Sequence, residues 1–183
     1  VKELTLDDLK AAGTILRRCV PDLGGVYVFG SCAVSACHGE LAGHLRQSVD
    51  VDFSPIGRPV LYFDLKFVDQ WAGPESEFFE EHDFYIDYVT ADLLRCTPPG
   101  WQERVTLIEL APGLMGHCLD AHDVAYNKLW AGRPKDIIWV HGLLGTGIIT
   151  MMRLEQLHAG NLISNQERAK VEQSLRAVRD LGY

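Results

Sequence analysis

The chain has 183 residues, 47% hydrophobic and 23% charged, with a formal net charge of -8; these values suit a folded domain with a full core and exclude a disordered or fibrous chain. The negative balance argues against a protein that binds nucleic acid over its whole surface. No stretch approaches the ~20 apolar residues that span a bilayer, and the amphipathic N-terminus lacks a signal-peptide core. Five cysteines without a Cys-x-x-Cys pair read as reduced core thiols of a cytoplasmic protein.

In chain order, Thr5 is a helix cap, with Asp7 and Asp8 at the positive end of the dipole and Leu6, Leu9, Ile15 and Leu16 as the apolar stripe; Pro21 ends the helix. Residues 25–29 read as a buried strand running into Gly30-Ser31, and the small residues from Ser31 to about Leu41 as a helix packed close to the sheet. Residues 49–53 form a second strand, broken by Pro55, Gly57 and Pro59. Val60 to Val68 is apolar and fits either a strand or a helix. Pro74 to Glu81 suits a short helix with proline in its first turn. Asp83 to Val89 is a strand by its aromatic and β-branched content, and Arg104 to Leu110 is another, after the turn Pro98-Pro99-Gly100.

From Asp120 onward the pattern is helical. One helix runs to Ala131 with Gly132 as its stop, and the next begins at Pro134 and ends near Gly145. Two more follow, the last opened by the capping-box pattern Ser164-Asn165-Gln166-Glu167. The expected fold is α/β (α+β), a mixed β-sheet flanked by helices over residues 1–119, with a helical tail over 120–183.

The chemistry centres on Ser48-Val49-Asp50-Val51-Asp52-Phe53. Residues two apart on a strand share a face, so Asp50 and Asp52 project together while Val49, Val51 and Phe53 pack inward. Two adjacent carboxylates repel and are costly to hold without a cation between them. Oxygen ligands suit Mg²⁺, which binds through one or two carboxylates plus substrate phosphates. Gly30 lets a phosphate approach the backbone at a helix N-terminus, and the Ser31 hydroxyl is a donor for it. An ordinary strand-to-helix turn and a solvated acidic edge are the plainer readings of each motif alone.

Phe29-Gly30-Ser31 followed by Arg46-x-Ser48-x-Asp50-Val51-Asp52-Phe53 resembles the Gly-Ser…Asp-x-Asp pattern of the polymerase-β-like nucleotidyltransferase superfamily. The segment from Asp123 to Asp136, with Lys128-Leu129 and Ala131-Gly132-Arg133-Pro134-Lys135-Asp136, resembles a block of the bacterial AbiEii-like branch and its relatives. The resemblance implies a nucleotidyltransferase-like fold and transfer of NMP from an NTP to an acceptor hydroxyl with Mg²⁺ or Mn²⁺. It assigns Gly30, Ser31, Arg46 and Ser48 to the nucleotide, Asp50 and Asp52 to metal, Lys128 to the triphosphate, and Arg133 and Asp136 to the nucleotide site as polar partners of that lysine, either contacting substrate or holding the lysine in place. The helical region 120–183 would then complete the nucleotide site. A toxin-type role, an RNA (tRNA-like) acceptor and an antitoxin partner are further implications.

Two departures stand out. The gap from Ser31 to Asp50 is long, which marks residues around Glu40–His44 as an inserted loop, and Ser48 stands where threonine is usual. The third carboxylate, catalytic and metal-binding, is best supplied by Asp87, with Asp83 on its face and Glu109 on the next strand as competitors. Without such an acid the chain would be an idle nucleotide-binding or protein-interaction module on the same fold. His82-Asp83 and His122-Asp123 lack the flanking ligands of metal phosphohydrolases. The four tryptophans read as core or interface, and the segment Pro98 to Arg104 has no assigned role.

Overall fold

The computed structural model describes residues 4–39, 45, 49–57 and 62–183, with 62–64 and 91 described by backbone alone. The chain divides into two compact units, one of residues 1–40, 47–90 and 105–119, the other of 41–46, 91–104 and 120–183. The fold class is the expected one: a mixed sheet with helices, and a helical C-terminal part. Among the described residues no helix is long and apolar enough to cross a membrane.

In the first unit, α1 (Leu6–Cys19) opens on a capping box: the Thr5 hydroxyl accepts from the Asp8 N–H, and the Asp8 carboxylate accepts from the Thr5 N–H at 2.9 Å. Its stripe of Leu9, Ala12 and Leu16 is buried. A Cβ at Gly13 would lie 2.4 Å from Leu110 Cβ, so only glycine lets this helix lie so close to the strand that carries Leu110. Among the described residues five strands, β1 (Gly25–Val28), β2 (Asp50–Pro55), β3 (Tyr85–Tyr88), β4 (Thr106–Ala111) and β5 (Leu114–Cys118), form one sheet in the order β3-β2-β1-β5-β4. Pairs β1–β2 and β4–β5 are antiparallel, while β1–β5 and β2–β3 are parallel.

The sequence reading lacks β5. Leu114-Met115-Gly116-His117-Cys118 has no β-branched residue and carries a central glycine, so local propensity is silent there. A turn with Gly113 at φ +76° folds β5 back on β4, and β5 then supplies β1 with its second neighbour. The undecided stretch is helical: α3 (Tyr62–Ala72) buries Val68 and Ala72, four apart, and leaves Phe67 and Trp71 exposed. The short helix α4 (Glu77–His82) starts later than the proline suggests. Ser76 caps it, accepting from the Phe79 N–H at 3.2 Å while its own hydroxyl donates to the Gly73 carbonyl at 2.7 Å. Asp83 ends it at φ 59°, outside the strand that begins at Tyr85.

In the second unit, α5 (Ala121–Ala131) runs from an Asp120 cap to Gly132 at φ +66°, and α6 (Pro134–Gly145) starts on proline. The last two helices, α7 (Met151–Gly160) and α8 (Asn165–Asp180), follow, the latter with its capping box intact. Tyr126 is wholly buried and its hydroxyl lies 2.9 Å from His158 Nδ1, a polar join in a centre that also buries Leu129, Leu143, Leu154 and Val171. Burial holds the His158 imidazole below its ordinary pKa. Tyr126→Phe strands that ring nitrogen, so urea unfolding of the variant is expected to show a loss of about 1–3 kcal/mol.

Candidate active site

The site on the first unit begins where β1 gives way to α2 (Gly30–His38). Phe29 is extended and donates its N–H to the Asp52 carbonyl at 3.0 Å, tying the end of β1 to β2. Gly30 follows at φ +66°, a conformation that L side chains resist. A Cβ there would sit 2.6 Å from Asp52 Oδ2, so the glycine brings the backbone of the turn directly against that carboxylate. Ser31 is buried in the first turn of α2.

Strand register supplies the rest. Parallel pairing sets Asp52 opposite Asp87 and Asp50 opposite Tyr85, with Val51 and Phe53 buried on the other face. Asp50, Asp52 and Asp87 each offer an oxygen, and these atoms all lie within 4.8 Å of one another. Asp50 Oδ1 is buried and, among the described residues, accepts no hydrogen bond. Burial, and then the Asp50 charge, push the Asp87 carboxyl above the usual carboxylate range, against a Tyr88 N–H that draws it down. Asp69 of α3 adds to the same field, a contribution no sequence motif signals. The Cys32 thiol is pushed up by burial and then by Asp52, and the Tyr85 hydroxyl by burial and then by Asp50, Asp87 and Asp52.

Such a cluster is anionic and all-oxygen. An orphaned buried carboxylate oxygen within a group of three acids is the donor set a hard divalent cation fits.

The competing acids lie elsewhere. Glu109 is on β4, at the opposite edge of the sheet from β3, where it accepts from the Gly113 N–H. Asp83 is the left-handed cap of α4, so the face it was expected to share with Asp87 does not exist. Arg46, Ser48 and the expected loop of Glu40–His44 lie outside the described residues.

On the helical unit, Lys128, Arg133 and Asp136 converge at the α5–α6 turn. Asp136 is 1% exposed; Arg133 reaches it through Nε at 2.5 Å and Nη2 at 3.2 Å, and Lys128 Nζ lies 3.6 Å from Oδ1. Lys128 Nζ also sits 4.7 Å from the centre of the Trp139 ring. The sequence reading leaves out a second ion pair. Arg104 grips the fully buried Asp123 with Nε at 2.8 Å and Nη2 at 2.7 Å, and donates to the Pro98 and Pro99 carbonyls. This gives the Pro98–Arg104 segment its role: it fastens to the first turn of α5. His122 is likewise structural, its Nε2 accepting from the Thr150 N–H at 3.2 Å.

No curated protein and no solved structure matches the chain. A family model does, over residues 16–180, a span that takes in the glycine turn, the three aspartates and the whole Lys128–Asp136 block. The chain therefore belongs to DUF6036, a nucleotidyltransferase family of unknown function.

Proposed function

We propose that this chain transfers a nucleoside monophosphate from an NTP to an acceptor hydroxyl, releasing pyrophosphate, with a divalent cation held by Asp50, Asp52 and Asp87. The observation that carries this reading is the grouping of three carboxylates, with one buried oxygen that has no hydrogen-bond partner among the described residues. Like charges so close are unfavourable in the protein alone. Bound Mg²⁺ or Mn²⁺ supplies neutralisation of the triphosphate and a lower pKa for the attacking hydroxyl.

The chain's own residues do the rest. Gly30 and Ser31 offer backbone N–H groups and a hydroxyl to phosphate oxygens at the start of α2. In the transfer, the acceptor oxygen bonds to the α-phosphorus as the bond from that phosphorus to pyrophosphate breaks, and Asp87 takes the hydroxyl proton. On the helical unit, Asp136, gripped by Arg133, holds Lys128, the lysine that the resemblance assigns to triphosphate. An RNA acceptor, an antitoxin partner and a toxin role extend the proposal along the AbiEii-like resemblance.

The test incubates the full chain with each α-labelled NTP, Mg²⁺ or Mn²⁺, and total RNA. Label transfer with pyrophosphate release, abolished by chelation, is expected. Metal-dependent NTP binding without turnover across the acceptors would instead identify an idle nucleotide-binding module. Gly30→Ala is a sharper probe. The left-handed backbone costs about 1–2 kcal/mol with any side chain, and the new methyl displaces Asp52. Transfer should fall well beyond what the modest drop in melting temperature explains.

A further inference from the structure

We propose that the helical unit carries an additional site, built from residues outside those above, that takes a phosphorylated nucleoside against Trp130. The charge of the chain is unevenly divided: of its 17 Lys and Arg and 25 Asp and Glu, the sheet-bearing unit holds 6 and 16, the helical unit 11 and 9. The net charge of -8 therefore hides a unit of positive balance. On it lies an open cavity of about 640 Å³ lined by Arg95, Trp130, Ser164, Gln166, Glu167 and Lys170, within the size range of small-molecule sites.

Trp130 is half-buried and carries two cations. Lys170 Nζ lies 5.0 Å from the ring centre and the Arg95 guanidinium carbon 5.9 Å, both within cation–π range. Lys170 is aimed by its stem, whose Cε lies 3.3 Å from where a Cβ on Gly132 would be. Among the described residues lining the cavity one acid faces these two charges, and it is already engaged. Glu167 Oε2 accepts from the Ser164 N–H and hydroxyl in the α8 capping box, leaving Oε1 for Arg95 at 3.3 Å. The Arg95 side chain is 67% exposed, and an exposed pair of that kind contributes little and yields readily to a better anion.

The combination selects the ligand. A plain anion leaves the indole unused, and an apolar ligand leaves Lys170 without an anion. A nucleobase stacks on an aromatic face, its phosphate meets Lys and Arg, and its edge pairs with a glutamine amide. Arg95 swings outward to admit the base and stays beside its phosphate. Whether the nucleoside is free or one unit of a single strand is decided by the test.

That test uses the full chain carrying Asp50→Asn and Asp52→Asn, in EDTA, so that it does not depend on metal or on transfer at the acidic cluster. Binding of a fluorescent single-stranded oligoribonucleotide is followed by anisotropy, and direct binding of a nucleoside monophosphate by calorimetry. Saturable binding of at least one of them is expected, weakened at least ~10-fold by Trp130→Leu and by the double change Arg95→Gln, Lys170→Gln. The double change should also flatten the salt dependence of strand binding. Arg95 and Lys170 are exposed, so that variant keeps its fold if Trp130→Leu does not. Binding of the monophosphate alone identifies a free nucleotide, and binding of the strand alone identifies a nucleic acid ligand. No binding of either, or undiminished affinity in the double variant, overturns the proposal.

Discussion

Asp50→Asn together with Asp52→Asn is expected to cut label transfer by more than ~100-fold, beyond the loss typical of an outer-shell change at a metal site, while the melting temperature holds or rises. Both substitutions preserve shape and remove two of three carboxylate charges whose oxygens lie within 4.8 Å of one another. Removing like charges relieves the folded state of repulsion that only a cation offsets. For Asp50 the exchange is favourable in a second way: Oδ1 is buried without a hydrogen-bond partner among the described residues, and a neutral amide is cheaper to bury than a carboxylate. Stability and activity therefore move in opposite directions, the mark of residues kept for chemistry. Asp87→Asn should follow the same course. Glu109→Gln, at the far edge of the sheet, should leave transfer unchanged. Full transfer by the double variant would sink the mechanism, and a large fall in melting temperature would make the carboxylates structural.

What the sequence discloses here depends on how far apart the interacting residues stand. Asp50 and Asp52 can be paired from strand alternation alone, and the caps at Thr5, Gly132 and Ser164 depend on residues at most a turn away. Asp87 is different. Its place beside Asp52 follows from the parallel register of two strands separated by helices α3 and α4, and no local pattern encodes register. Period-two reasoning also ranks Asp83 alongside it, because a left-handed helix cap at an aspartate looks like strand to a pattern of alternation. β5 is hidden for a related cause: its residues acquire strand conformation from β1 and β4 on either side, not from their own propensity. Asp69 reaches Asp87 from a helix whose class the sequence leaves open.

Arg104→Ala should be the most damaging single substitution for stability, costing about 3–5 kcal/mol at neutral pH, because it leaves the fully buried Asp123 carboxylate without its bidentate partner. The pH dependence identifies the cause. In the folded chain burial raises the Asp123 pKa, and Arg104 opposes that rise. An acid raised on folding contributes its full stability below its unfolded pKa and loses it as the pH climbs through the folded value. Without Arg104 the folded value moves higher still, so the deficit of the variant is greatest near neutrality and shrinks as the pH falls. Adding Asp123→Asn removes the charge and should recover much of the loss at pH 7, as measured by urea midpoints across pH. A deficit independent of pH, with no rescue by asparagine, would move the damage to the Pro98 and Pro99 carbonyls that Arg104 also satisfies. Asp123 stands in the first turn of α5 and Lys128 in its last. A chain whose Arg104 anchor is lost should thus hold the Lys128–Asp136 contact less firmly.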